Sequence, residues 1–511
     1  MSIGTEDSRH VQMSYDVVIV GGGTTGCVLA ARLSEDPSRS VLLLEAGPDH
    51  DGGPEALPEL LRTEELTAPA PEYSWVYEGI ADAETKRAIP VFRGRVMGGS
   101  GAINGALFQR GAPEDYDAWG SPRWDFQTVL PYFRKLERDL DFGGDLHGDS
   151  GPVPVRRFDR ELWPASQEAL YRAARANGFP EKADIMDPDG FGAGAMPRNS
   201  IDDIRMSAAL THLWPARRRR NLTVKGDTAV RRINFAGNRA TGVEILDGSV
   251  PAIVQADEVI VAAGTIGSPH LLSVSGVGPL EVLDRNGIEV VHELDGVGRN
   301  LQDHPFVDVQ VDAADLPAED PRHQVALVYS SAGTGLRNDM QLLVGSMRIP
   351  EENGSSSSQL LFSAILELPD SRGEVEVRSP DISVLPRIRF DYLRSSRDRK
   401  RLREALRLGA KLVDHEAFRE IGVTRLAPAD DQLADDATLD RFVRENLFTV
   451  FHGCGTCRMG AQSDPDAVVD DRCFVHGLER LRVADLSVAP LVPRAATNAT
   501  AFMIGERVAD L

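Results

Sequence analysis

Four cysteines in 511 residues are too few for a disulfide framework, and their scarcity fits a reducing compartment. Positive charge is also short: 56 Lys and Arg against 78 Asp and Glu leave a formal charge of −22. Nucleic-acid binding needs a basic footprint, so this balance argues against nucleic acid as the main partner, and against a polybasic membrane contact. No apolar run approaches the roughly 18 residues of a transmembrane segment. The first fourteen residues are polar, with no apolar core and no arginine pair, so a cytoplasmic protein is expected. What the chain does have is 42% hydrophobic residues, enough for a sizeable core, and 47 glycines gathered in clusters. At about 150 residues per domain, the length suggests roughly three domains or one large discontinuous one.

Tyr15–Val20 (YDVVIV) is a β-branched apolar run ending in Gly21-Gly22-Gly23. Thr24–Glu35 follows with helical spacing, and Val41–Leu44 is a second apolar run ending at Glu45. Strand, turn, helix and strand in about thirty residues open a parallel α/β sheet. Helices are predicted over 125–139, 161–177, 395–413, 437–446 and 500–511. Short strands at 222–224, 229–234 and 243–246 read as a meander, and 258–263 as a buried strand ending at Gly264. From about Phe306 to Phe390 short strands alternate with polar breaks, the pattern of an antiparallel sheet. Leu481–Ala484 reads as a strand, Gly354–Ser358 (GSSSS) as a flexible turn, and the basic run Arg217–Arg220 as a solvated helix end or loop.

Gly21-Gly22-Gly23-Thr24-Thr25-Gly26 satisfies G-x-G-x-x-G. The first glycine (Gly21) makes the tight turn, the second (Gly23) admits a pyrophosphate to the backbone, and the third (Gly26) lets helix and strand pack closely. The N–H groups at the helix start hold phosphate. Glu45 closes the second strand, where a carboxylate accepts from a ribose diol and disfavours a 2′-phosphate. The motif alone does not choose between NAD and FAD. Further clusters stand at 93–111 (RGRVMGGSGAINGALFQRG), 264–279 (GTIGSPHLLSVSGVGP), 296–305 (GVGRNLQDHP), 452–460 (HGCGTCRMG) and 481–490 (LRVADLSVAP).

With these motifs in this order, nearly the whole chain from Tyr15 to Leu511 resembles the glucose–methanol–choline (GMC) family of FAD-dependent oxidoreductases. The resemblance implies an α/β fold: a Rossmann-like FAD-binding domain discontinuous in sequence (14–160, 200–305 and 448–511), and an α+β capping domain on an antiparallel sheet (161–199 and 306–447). It implies FAD with its adenosine half on Gly21, Gly23, Gly26 and Glu45 and Val230 near the adenine. The flavin half is then expected on Gly98, Gly99, Ser100, Asn104, Ala263 and Gly264, completed by Asp485, Asn498, Ala499 and Thr500. Some members link FAD covalently through a histidine at the position of Ile103; isoleucine cannot, so non-covalent FAD is expected. Residues 139–157 also resemble actinobacterial members associated with the redox cofactor mycofactocin.

By the same resemblance His452 is the base that takes the hydroxyl proton while hydride leaves for flavin N5. A neutral imidazole suits that work. The family's second polar residue, His or Asn, falls at Ala496, which cannot orient a hydroxyl. Water, Asn498 or a polar group of the substrate are the candidates to fill that place. His304 is expected to brace the loop under the flavin. Cys454-x-x-Cys457 with Cys473-x-x-His476 has a zinc-like spacing, but the first pair lies inside a flavin motif, and no metal is expected. The capping region carries no tryptophan, so nothing selects a quaternary ammonium cage. The implied activity is oxidation of a small-molecule alcohol, with oxygen or a quinone-like carrier as electron acceptor. A flavin-retaining lyase or decarboxylase, and a catalytically idle flavin-binding protein, are the alternatives.

Overall fold

The computed structural model describes residues 13–511 except 66, 68–69, 248–249, 314–315, 317–321 and 351–355. Its first layer is a sheet of β1 (Met13–Val20), β2 (Val41–Leu44), β3 (Leu222–Lys225), β4 (Val230–Ala236), β5 (Arg239–Asp247), β6 (Val250–Val261) and β7 (Leu481–Val483). The order is β3-β2-β1-β6-β5-β4, with β7 also on β6. β3, β2, β1, β6 and β7 are parallel, and β4–β6 form an antiparallel meander. Val17–Val20 and Val41–Leu44 are buried on both faces, which explains their unbroken apolar runs.

The register decides where the site lies. Val20 pairs with Leu44 and Val261, Leu44 with Lys225, and Val261 with Val483, so these strands end in one row. Gly21, Glu45, Ala263 and Asp485 therefore emerge along one edge, where ligands of open parallel sheets bind. Helix α1 (Thr24–Leu33) is buried on nearly every side because the C-terminal helix α2 (Asn498–Ala509) packs over it.

β3 departs from the expected meander by pairing in parallel with β2. The Asn221 amide donates to the carbonyls of Ser34, Asp36 and Arg39 at 3.1, 2.9 and 2.9 Å, which anchors β3 on that open edge. Half of the adjoining basic run is engaged in the fold: Arg217 pairs with Asp49, and Arg219 donates to the Ala31 carbonyl and to Ser34 Oγ.

The second layer is a six-stranded antiparallel sheet in the order 448–449, 305–308, 356–366, 340–350, 325–329, 192–195. Val307, Phe362, Ala364 and Leu342 on one face join the second core with helix Ser396–Val413. Phe306, Asp308, Ser363, Ile365, Gln341 and Leu343 alternate with them and face a cleft instead. Of the expected GSSSS turn, Gly354 and Ser355 lie outside the described residues, and Ser356–Ser358 begin a strand. Ser74–Ile80 and Ala88–Gly94 share a sheet with Glu374–Glu376 and Arg387–Arg389, so segments expected in different domains pair directly. Among the described residues no helix is long and apolar enough to cross a membrane.

Candidate functional site

A cleft of about 1080 Å³ separates the carboxyl edge of the parallel sheet from the antiparallel sheet above it. Of the residues singled out by sequence, Gly21, Gly23, Glu45, Gly99, Ser100, Asn104, Val230, Ala263, Gly264, His452, Asp485 and Asn498 line it. Four do not. Gly26 packs so tightly that a Cβ there would sit 1.9 Å from the Gly21 carbonyl oxygen, which is the helix–strand contact required of the third glycine. Gly98 turns the chain behind the lining with φ of +98°. Ala499 and Thr500 follow the first residue of α2 and point back into the core, where Thr500 Oγ1 lies 2.9 Å from the Tyr116 hydroxyl.

The two glycine-rich loops meet backbone to backbone: a Cβ on Gly99 would lie 2.6 Å from Gly23 Cα. Glu45 accepts from Gly22 N–H at 2.8 Å and Gly47 N–H at 2.9 Å, and burial raises its carboxyl to about 7. Asp485 braces the Gly264 turn, accepting from Gly264 N–H at 2.8 Å and Ser268 Oγ at 2.5 Å; its other oxygen accepts from Ser487 N–H at 2.7 Å. These residues fit FAD on two counts. The position of a Gly264 Cβ meets nothing within 4 Å, leaving room against the backbone. Asn498 Oδ1 is held by Thr24 Oγ1 at 3.1 Å, while its Nδ2 is buried without a partner among the described residues. A buried amide donor of that kind calls for an acceptor.

His452 also lines the cleft, next to Gly453, whose carbonyl accepts from Thr265 Oγ1 at 2.6 Å. His452 Nδ1 is 2.9 Å from His304 Nδ1, with the rings edge to face. His304 Nδ1 is also 3.2 Å from Glu367 Oε2. Behind the pair, Asp303 Oδ1 accepts from the backbone N–H groups of His452 at 2.7 Å and His304 at 2.9 Å. Its Oδ2 accepts from Tyr392 at 2.6 Å and from Thr449. Burial and the Arg93 charge push His452 down to about 3, and burial and His452 hold His304 well below the usual imidazole range. Both rings are neutral at pH 7. Burial raises Glu367 to about 8, so it keeps its proton there. Ala496 faces the cleft with only a methyl group.

His304 therefore touches the expected base directly. Glu367 escaped sequence reasoning because a single carboxylate at the end of an apolar strand carries no motif; Asp303 lay in view inside the QDHP segment. Cys454, Cys457 and Cys473 are buried thiols and His476 Nε2 lies 3.0 Å from the Gly460 carbonyl oxygen. No metal-holding cluster of these side chains forms among the described residues.

The GMC oxidoreductase N-terminal family model matches residues 15–306 and the C-terminal model residues 369–505. The chain belongs to the GMC oxidoreductase family. An uncharacterised GMC-type oxidoreductase in the thcA 5′ region of Rhodococcus erythropolis is 40% identical over 97% of this chain and 98% of that protein. The oxygen-dependent choline dehydrogenase of Vibrio vulnificus is 34% identical over 98% and 94%. The crystal structure of pyridoxine 4-oxidase from Mesorbium loti superposes with a TM-score of 0.87 at 31% identity, over 97% of this chain and 98% of that one. Like its family, this GMC oxidoreductase is an FAD enzyme acting on CH–OH donors.

Proposed function

We propose that this enzyme oxidises an alcohol to the aldehyde or ketone with His452 Nε2 as the base. The observation that carries this reading is the 2.9 Å contact between two neutral Nδ1 atoms, since only one proton fits between them. We assign that proton to His452, so that His304 Nδ1 accepts, beside a Glu367 carboxyl that is uncharged at neutral pH. That tautomer leaves His452 Nε2 with a free lone pair for a substrate hydroxyl. The buried Arg93 guanidinium, which also lines the cleft and acts on His452, favours the alkoxide that results. FAD, held by the glycine turns, Glu45 and Asn498, supplies the two-electron acceptor for the carbinol hydride. Ile103 lines the cleft and offers no nucleophile, which supports non-covalent FAD.

His452→Gln keeps a polar side chain of similar length and removes the base. Mixed anaerobically with an alcohol panel, the wild-type flavin is expected to bleach, and the variant to do so about 10²- to 10⁴-fold more slowly. Equal rates would sink the assignment of His452.

A further inference from the structure

Among the described residues five charged side chains line the cleft, and four already have work within the protein. Glu45 and Asp485 accept from backbone N–H groups, Arg231 pairs with Glu244 at 2.8 Å, and Arg93 donates to the Phe451 carbonyl. The fifth, Asp308, stands on the cleft face of the antiparallel sheet. Its cross-strand neighbour Ser363 donates to Oδ1 at 2.6 Å, and no Arg, Lys or His pairs with it among the described residues. The other side chains on that face are mostly apolar, Phe306, Leu343, Leu361 and Ile365, with Gln341 as a neutral polar one. Its walled position raises it to about 6, so it is ionised at neutral pH. An ionised carboxylate facing an apolar cavity without a counter-charge is costly unless a cation comes to it.

Its distance from the base follows from the strand. His304, which touches His452, directly precedes the strand Pro305–Asp308, and Phe306 and Asp308 lie on one face by the period of two. From His304 to Asp308 the extended chain runs about 13 Å at ~3.3 Å per residue.

We propose that Asp308 and Ser363 form a substrate subsite for a cationic group, a protonated amine, on an alcohol whose hydroxyl reaches His452. The proposal rests on the alcohol-oxidising reading above. It names the substrate as an amino alcohol in which the two groups stand on the order of 10 Å apart, a spacing set by the strand.

The test uses FAD-loaded enzyme at pH 7, where Asp308 is ionised and Glu367 is not, with flavin content checked in every variant. Anaerobic flavin reduction is followed with α,ω-amino alcohols of three to ten carbons, and with alkanols and diols of equal length. The expected optimum is an amino alcohol of roughly eight carbons, favoured over the matching alkanol in kcat/KM. Asp308→Asn is expected to lower that preference ratio by about 10- to 100-fold, and Asp308→Glu to restore part of it. A ratio unchanged in Asp308→Asn, or diols preferred as strongly as amino alcohols, overturns the subsite.

A second readout needs no turnover. Octylammonium is expected to perturb the flavin spectrum of the wild type, with a Kd at least about 10-fold weaker in Asp308→Asn. Equal Kd values overturn the proposal. If no alcohol bleaches the flavin while octylammonium still distinguishes the two proteins, the subsite stands and the oxidation reading falls.

Discussion

Glu367 Oε2 stands 3.2 Å from His304 Nδ1 without a hydrogen bond to it, so a charge formed there acts directly on the His304–His452 pair. Burial places that carboxyl at about 8, so above this pH it ionises and becomes acceptor-only. A negative charge beside His304 Nδ1 favours the shared proton on that nitrogen, and His452 Nδ1 then accepts. The remaining proton of His452 moves to Nε2, and the base is lost. Alcohol oxidation is therefore expected to decline as pH rises through about 8, whereas Glu367→Gln, which carries no charge at any pH, is expected to lose this decline. A pH profile of kcat measured on both proteins checks it; an unchanged alkaline limb in the variant would show that Glu367 does not govern the pair. Such a network was not legible beforehand. The glycine turn was, because Gly21 needs its φ of +106° and Gly26 its bare Cα against the Gly21 carbonyl, while Gly23, with an ordinary φ, leaves open space, and Glu45 is marked by its place at the end of the next strand. Asp308 and Glu367 each read as ordinary polar residues on short strands. Sequence alternation says which residues share a sheet face, but not that the polar face roofs a cleft.

At the scale of elements, residues 137–157 show how a loop between two short paired strands, Glu137–Asp139 and Val153–Val155, is held. His147 is buried with its ring nitrogens 3.0 Å from Asp139 and 3.0 Å from Asp184, and Glu137 stands 3.5 Å away. Arg157 closes the cluster at 2.9 Å from Asp139 and 3.1 Å from Asp184. Burial alone would depress the imidazole, but the three carboxylates outweigh it and raise it to about 10. A group whose folded value lies above its unfolded one stabilises fully below the unfolded value, about 6.5. That contribution is lost as pH climbs through about 10. His147→Ala leaves three crowded carboxylates with Arg157 as the cation that pairs two of them, and is expected to destabilise by about 3 kcal/mol at pH 6. Urea denaturation at pH 6 and pH 10 checks this: the gap between wild type and variant should narrow at the higher pH. The helices at this scale were legible where a cap or an apolar stripe marked them, as with Asp125, whose carboxylate accepts from Thr128 N–H at 2.8 Å, and Ser395 before the long helix. The pairing of β3 with β2 was not, because the Asn221 contacts that impose it join segments far apart in the chain.

Across the whole molecule, FAD is expected to act as a fastener as well as a reagent, since the residues proposed to hold it come from near both ends and the middle of the chain. Ligand at about 100 times its Kd adds roughly 2.7 kcal/mol to the folded state. Protein stripped of flavin is thus expected to melt several degrees lower and to recover on titration with FAD, and denaturation should release free FAD through a filter. A melting temperature indifferent to FAD would contradict the arrangement, and yellow colour retained on denatured protein would contradict a non-covalent cofactor.

The twelve-residue strand β6 has a consequence for how the enzyme is born. Its first half is paired at once by β5, but Val259–Val261 must await Leu481–Val483, and Gly264 waits for Asp485 across 221 residues of chain. On a ribosome adding about 5–20 residues per second, that stretch takes roughly 10–40 s. Throughout it, the nascent chain carries a bare parallel edge of the kind that recruits other strands. The readiness of the flavin site is therefore timed by translation of the last few dozen codons, and the interval before them is when this protein most needs a chaperone.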